Sequence, residues 1–109
     1  MRDAVWISFD LGVSGDYEGM YRWLDDHAAK ECGDSLAYFL YDHPGDLLHD
    51  MKGDISNNVD LSAKSRIYVI REVEGKIKGT FIIGHRRNPA WTGYAETGDQ
   101  GDDTSAQVL

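Results

Sequence analysis

Two carboxylates frame the first glycine-containing loop: Asp10 closes an apolar run, and Asp16 follows Gly12-Val13-Ser14-Gly15. Ligands in sheets with crossover helices collect beyond the carboxyl ends of strands, and paired carboxylates there can hold a hard divalent cation. Asp10 and Asp16 are therefore one candidate metal pair, and the chemistry they would support is that of a metal-dependent phosphodiesterase or nuclease. The competing structural reading makes Asp16 a helix cap and Asp10 a strand-end acid. A phosphate cradle is disfavoured there, since carboxylates repel phosphate and neither the P-loop nor the dinucleotide-binding glycine signature occurs.

A second candidate lies in the basic stretch that ends the folded region. Lys64, Arg66, Arg71, Lys76, Lys78, Arg86 and Arg87 face only Glu72 and Glu74, and Trp91 and Tyr94 follow closely. Cations contact phosphates and aromatic faces stack on bases, so this combination resembles the surface of a nucleic-acid binder. The structural alternative pairs Arg86 and Arg87 with acidic helices and lets Trp91 pin the chain end to the domain. The histidines His27, His43, His49 and His85 have none of the short spacings of a zinc site, and Cys32 is the chain's single cysteine. They read as surface or boundary residues, and a nucleophilic Cys32 lacks basic neighbours to stabilise a thiolate.

The elements that position these residues follow from periodicity. Ala4 to Leu11 alternates and predicts a strand with Val5, Ile7, Phe9 and Leu11 on one face. Asp16 then opens a helix with Tyr17, Met20, Tyr21, Leu24 and Ala28 as its apolar stripe, closed by Gly33-Asp34, with Trp23 off the stripe. Ser35 to Asp42 predicts a second strand, rich in aromatics. Pro44 opens a second helix with Leu47, Leu48, Met51, Ile55 and Val59 inward, weakened at Gly53. From Ser65 the period becomes two, and Glu74-Gly75 predicts a hairpin turn that opposes Arg71 to Lys78, Tyr68 to Phe81 and Ile67 to Ile82. The Tyr68–Phe81 face is expected to meet the core, and the like charges at Arg71 and Lys78 call for a nearby acid or an anionic partner.

The order is thus βαβαββ, an α/β (α+β) two-layer sandwich on a mixed sheet with a C-terminal antiparallel hairpin. Residues 1–95 form one domain, and 96–109 read as a disordered acidic and polar tail. A ferredoxin-like arrangement is the nearest familiar shape, but it needs one more strand between the helices. The strand ending Phe9-Asp10-Leu11 resembles the opening strand of small ferredoxin-like nucleases over those few residues, and no function is carried over from the likeness.

Charge is sorted along the chain. Residues 1–60 sum to −9, residues 61–95 to +5 and the remainder to −4, within a formal net charge of −8. Such sorting points to two surfaces with different partners, or to one copy's basic edge meeting another's acidic face. No apolar run reaches the ~20 residues of a membrane span, no leader-like segment opens the chain, and a single cysteine fits a reducing compartment. The expectation is a cytoplasmic, non-catalytic interaction module without cofactor. It would form a homo-oligomer or bind a protein through Arg71, Lys76, Lys78, Arg86, Arg87 and Trp91. Three alternatives stand beside it: the divalent-metal enzyme at Asp10 and Asp16, a nucleic-acid partner opposed by the net charge, and an acidic nucleic-acid-mimicking inhibitor.

Overall fold

Alternation of apolar side chains builds strand β1 (Arg2–Asp10), which buries Val5, Ile7 and Phe9 and leaves Trp6, Ser8 and Asp10 on its other face. In the computed structural model, which describes residues 1–96, this strand is the centre of a five-stranded sheet. Helix α1 (Tyr17–Asp26) follows, capped by Asp16. It ends earlier than the sequence pattern predicts. Ala28 takes a left-handed φ of 54°, and the amides of Ala28 and Ala29 donate to the carbonyls of Asp25 and Leu24, closing the last turn.

That early stop frees residues for an unexpected strand, β2 (Lys30–Gly33), which forms a hairpin with β3 (Leu36–Asp42). Gly33-Asp34 is thus a strand turn and does not terminate a helix. Helix α2 (Leu47–Asn58), capped by Asp46, starts three residues beyond Pro44. Strands β4 (Arg66–Val73) and β5 (Lys76–Ile83) form the predicted hairpin across Glu74-Gly75.

The element order is therefore βαββαββ, correcting βαβαββ, and the sheet order is β2-β3-β1-β4-β5. Every neighbouring pair is antiparallel, so the sheet is not mixed. The cause is β2: each helical crossover now skips a strand, so strands that run the same way are never adjacent. Elements β1 to β4 have the split βαβ order of a ferredoxin-like fold, with β5 added at one edge. The extra strand sits before β3, where the sequence pattern reads as helix.

One core joins the Val5–Ile7–Phe9 face to Ala37, Phe39, Tyr41, Ile67, Val69 and Ile82, and to the buried sides of both helices. In α1 the buried side is Gly19, Met20, Trp23 and Leu24, with Tyr21 54 % exposed. Trp23, expected off the stripe, is inside. Gly19 accounts for the rotation: a side chain there would press on the Asp16 carboxylate and the Asn58 carbonyl, so this bare position sits against the end of α2. Helix α2 buries Leu47, Met51 and Ile55 as predicted.

No described helix is long and apolar enough to cross a membrane. Tyr94 to Glu96 are helical, and the tail expected from 96 onward otherwise lies outside the described residues.

Candidate functional site

Register decides which face of the β4–β5 hairpin meets the helices. Ile7 pairs with Val69 and Phe9 with Ile67, so the core parity of β1 passes to the odd positions of β4. Tyr68, Ile70, Phe81 and Ile77 consequently lie on the opposite, uncovered face, and the expectation that the Tyr68–Phe81 face meets the core is corrected. The predicted pairs Arg71–Lys78 and Tyr68–Phe81 both form, but Ile67 faces Ile83 and not the predicted Ile82, because a bulge between Ile67 and Tyr68 shifts the last step.

The uncovered face carries two aromatic pairs. Trp6 on β1 and Tyr38 on β3 have ring centroids 4.9 Å apart, and Tyr68 and Phe81 meet edge-on at 4.7 Å. Tyr68 lies across Gly79, where any side chain would collide with its ring, so the glycine lets the phenol lie against the strand. Leu40 and Ile77 extend the surface at 45 % and 69 % exposure.

At the end where β4 begins and β5 finishes, cationic groups gather on this face. The Arg86 guanidinium stands 5.8 Å from the Tyr68 ring centroid and 5.7 Å from that of Phe81. Arg66 donates to Asp10 Oδ2 at 3.1 Å, and Arg87 approaches the same oxygen at 3.5 Å. The Gly12 amide donates to Asp10 Oδ1 at 3.1 Å. The Arg66 hydrogen bond, then that from Gly12, holds the Asp10 carboxyl below its ordinary range. Asp10 is thus an ionised carboxylate shared by two guanidiniums, and the Nε of Arg66 is buried with no hydrogen-bond partner among the described residues.

The chain leaves β5 at Gly84, whose φ of 75° and close approach to the Ser65 carbonyl turn it back toward β4. Trp91 then walls a cleft of about 350 Å³ floored by Tyr68 and Phe81, with Ser8, Asp10, Arg66 and Arg86 around it. A neighbouring hollow of about 550 Å³ shares Arg66, Phe81, Arg86 and Trp91 and extends along the exit segment.

The structure separates the six residues proposed for partner binding. Arg86 and Trp91 line the cleft on the uncovered face, and Arg87 lines the neighbouring hollow and reaches Asp10. Arg71, Lys76 and Lys78 have the parity of Val69 and so lie on the other face of the hairpin, towards its turn. Neither Arg71 nor Lys78 has an ion-pair partner among the described residues. The charge sorting persists only in part: Glu18, Asp25, Asp26, Asp50 and Asp54 sit on the helices and the arginines of the cleft across the sheet, but Arg71, Lys76 and Lys78 share the helix-side face and Arg22 pairs with Glu18.

Asp10 and Asp16 are not brought to a common cavity: the hollow beside Asp10 is lined by Gly12, Val13, Tyr17, Lys64 and Arg87. Asp16 accepts from the amides of Gly19 and Asp60, each at 2.9 Å, and the Asp60 bond foremost lowers its pKa. It caps α1 and ties that cap to the chain beyond α2. Among the described residues no group of three or more His, Cys, Asp or Glu could hold a metal ion.

Tyr68 and Phe81 join the site although they were expected in the core, and Arg66, counted in the basic stretch, joins it although it was not among the residues proposed for partner binding. Their signal was the neighbouring polar face of β1, with Ser8 and Asp10, but using it required knowing that β4 lies beside β1. Comparison with family models, curated proteins and solved structures finds no match for this chain. Its class accordingly rests on topology: a small α+β domain with an antiparallel five-stranded sheet, one face of it uncovered.

Proposed function

We propose that the protein is a non-catalytic interaction module whose working surface is the uncovered sheet face and the basic strand exit beside it. The observation that carries this reading is the exposed apolar surface of that face: Trp6 and Leu40, on the adjacent strands β1 and β3, are 36 % and 45 % exposed, and Ile77 on the edge strand β5 is 69 % exposed. Grouped apolar side chains in water mark a surface that is covered in use. Asp10, neutralised by two arginines, and Asp16, engaged by two amides, support structural roles for both carboxylates.

Without another partner, such a face meets a second copy of itself. Sedimentation velocity over a concentration series, at low and high salt, tests this. The expected result is a concentration-dependent shift toward dimer that the Trp6→Ser/Leu40→Ser double variant abolishes. A chain that stays monomeric throughout, with the double variant indistinguishable in every binding assay, removes the reading. Magnesium-dependent cleavage of an oligonucleotide that vanishes in Asp10→Asn would replace it with the metal-dependent phosphodiesterase.

A further inference from the structure

We infer that the cleft between the sheet face and the strand exit binds single-stranded nucleic acid, with Arg66, Arg86 and Arg87 on the phosphates and Tyr68, Phe81 and Trp91 against the bases. This rests on the reading of the uncovered face as the working surface, and it names the partner. Arg66 and Arg87 reach the one carboxylate, Asp10, and Arg86 stands over the Tyr68 and Phe81 rings beside it, so this region keeps an excess of positive charge. Arg66 retains a buried Nε–H with no acceptor among the described residues, a donor that a phosphate oxygen would satisfy.

The aromatic groups choose among anions. An acidic peptide has no flat surface to offer Trp91, which is 76 % exposed, or the Tyr68–Phe81 pair beneath it. A nucleobase has such a surface, and base–aromatic stacking tolerates any sequence. The bases must be unpaired, because a duplex hides its base faces. Beyond the cleft the platform continues: Phe81, Tyr68, Trp6 and Tyr38 lie on four adjacent strands, β5, β4, β1 and β3. At the spacing of sheet strands this covers about 14 Å, enough for successive bases.

The net charge of −8 sets the affinity and does not exclude the ligand. The helical carboxylates lie across the sheet from the cleft, so they weaken long-range attraction more than contact. Binding is therefore weak and salt-sensitive, with Kd roughly 10 to 100 µM near physiological salt.

The test is fluorescence anisotropy of labelled oligothymidylate and oligouridylate titrated with the full chain over a range of potassium chloride. Unlabelled duplex, thymidine monophosphate and inorganic phosphate serve as competitors. Three phosphate contacts predict a log–log salt slope of about −2, and Arg86→Ala/Arg87→Ala should flatten it to about −0.7. Trp91→Ala, at an exposed position, should weaken binding about ten-fold with the slope unchanged. Asp10→Asn should tighten binding, since it removes the one carboxylate in the cluster; a hydrolytic metal site would make the opposite prediction. Stronger oligothymidylate than oligouridylate binding, or the reverse, assigns DNA or RNA as the source of the strand.

Absence of binding up to about millimolar protein, equal competition by duplex or inorganic phosphate, or an unaltered Kd in Trp91→Ala each overturns the inference. Sedimentation without nucleic acid reads the interaction module independently. Self-association lost in Trp6→Ser/Leu40→Ser, with no oligonucleotide bound, would leave the module standing with a second copy as its partner.

Discussion

His43 is 5 % exposed, and both of its ring nitrogens face acceptors. Nε2 lies 2.7 Å from Asp3 Oδ2 and Nδ1 lies 2.7 Å from the Gly45 carbonyl. Two acceptors require two N–H donors, so the imidazolium satisfies this site better than either neutral tautomer. The Asp3 hydrogen bond raises the His43 pKa above its ordinary 6.5, with desolvation opposing and the Gly45 bond assisting. Because the folded value exceeds the unfolded one, the contribution is full below about pH 6.5 and disappears as pH rises through the folded value. Asp10 has the opposite sign: its lowered pKa contributes above the ordinary carboxylate value and is lost as pH falls through the folded one. Thermal melts should therefore show wild type losing stability on the alkaline side of about pH 6.5, with His43→Gln flattening that limb. Identical limbs in the two proteins would assign the slope to other groups. The sequence marked Asp16 as a cap and made the metal pair its rival, since both need a carboxylate at a helix start. Only the amides of Gly19 and Asp60 show how Asp16 is engaged.

At the scale of elements, two glycines with different surroundings give opposite predictions. Gly53 lies inside α2 with open space around it, so Gly53→Ala should stabilise by about 0.5 to 1 kcal/mol through helix propensity. Gly84 holds a left-handed φ at the end of β5, and a side chain there would meet the Ser65 carbonyl and the backbone of Arg66. Gly84→Ala should cost about 1 to 3 kcal/mol and disturb the turn that brings Trp91 to the cleft. Urea denaturation of the two variants checks both signs. Five elements were legible for a shared reason: β1, β3, α2, β4 and β5 are each bounded by turn or cap residues around a recognisable pattern. The end of α1 was not legible, because Glu18, Arg22, Asp26 and Lys30 keep helical spacing through a stop made by a left-handed alanine. Residues 30–33 then read as a helix end when they are a strand.

Across the whole molecule, the two sheet faces should respond differently to the same kind of change. Ile55 is fully buried between α2 and the sheet, so Ile55→Ala should cost about 2 to 5 kcal/mol. Ile77 projects from the uncovered face at 69 % exposure, and Ile77→Thr should change stability by no more than about 0.5 kcal/mol. A large loss at Ile77 would show that the face is covered in the free protein, and with it the surface assigned to partners would shrink to the strand exit. The charge distribution belongs to this scale as well. Arg66 and Arg87 share Asp10 within the molecule, while Arg71, Lys76, Lys78 and Arg86 keep no carboxylate partner among the described residues. Opposite signs therefore meet at Asp10, and also at Arg2–Asp42 and along α1 at Arg22–Glu18, while the arginines of the cleft stay across the sheet from the helical acids.

The amino-acid sequence by itself determined the local periods, the hairpin register over most of its length, the inward stripe of α2, and the segregation of charge along the chain. These are properties of residues near one another in sequence, where side-chain spacing and turn chemistry suffice. Tertiary structure alone decided the strand order, the parity passed from Ile7 to Val69, and hence which hairpin face is bare. A strand whose two faces are both rich in apolar residues, as β4 is with Ile67 and Val69 against Tyr68 and Ile70, does not specify which one the helices cover. That choice depends on the neighbouring strand, and it turned an expected core pair, Tyr68 and Phe81, into the floor of the cleft.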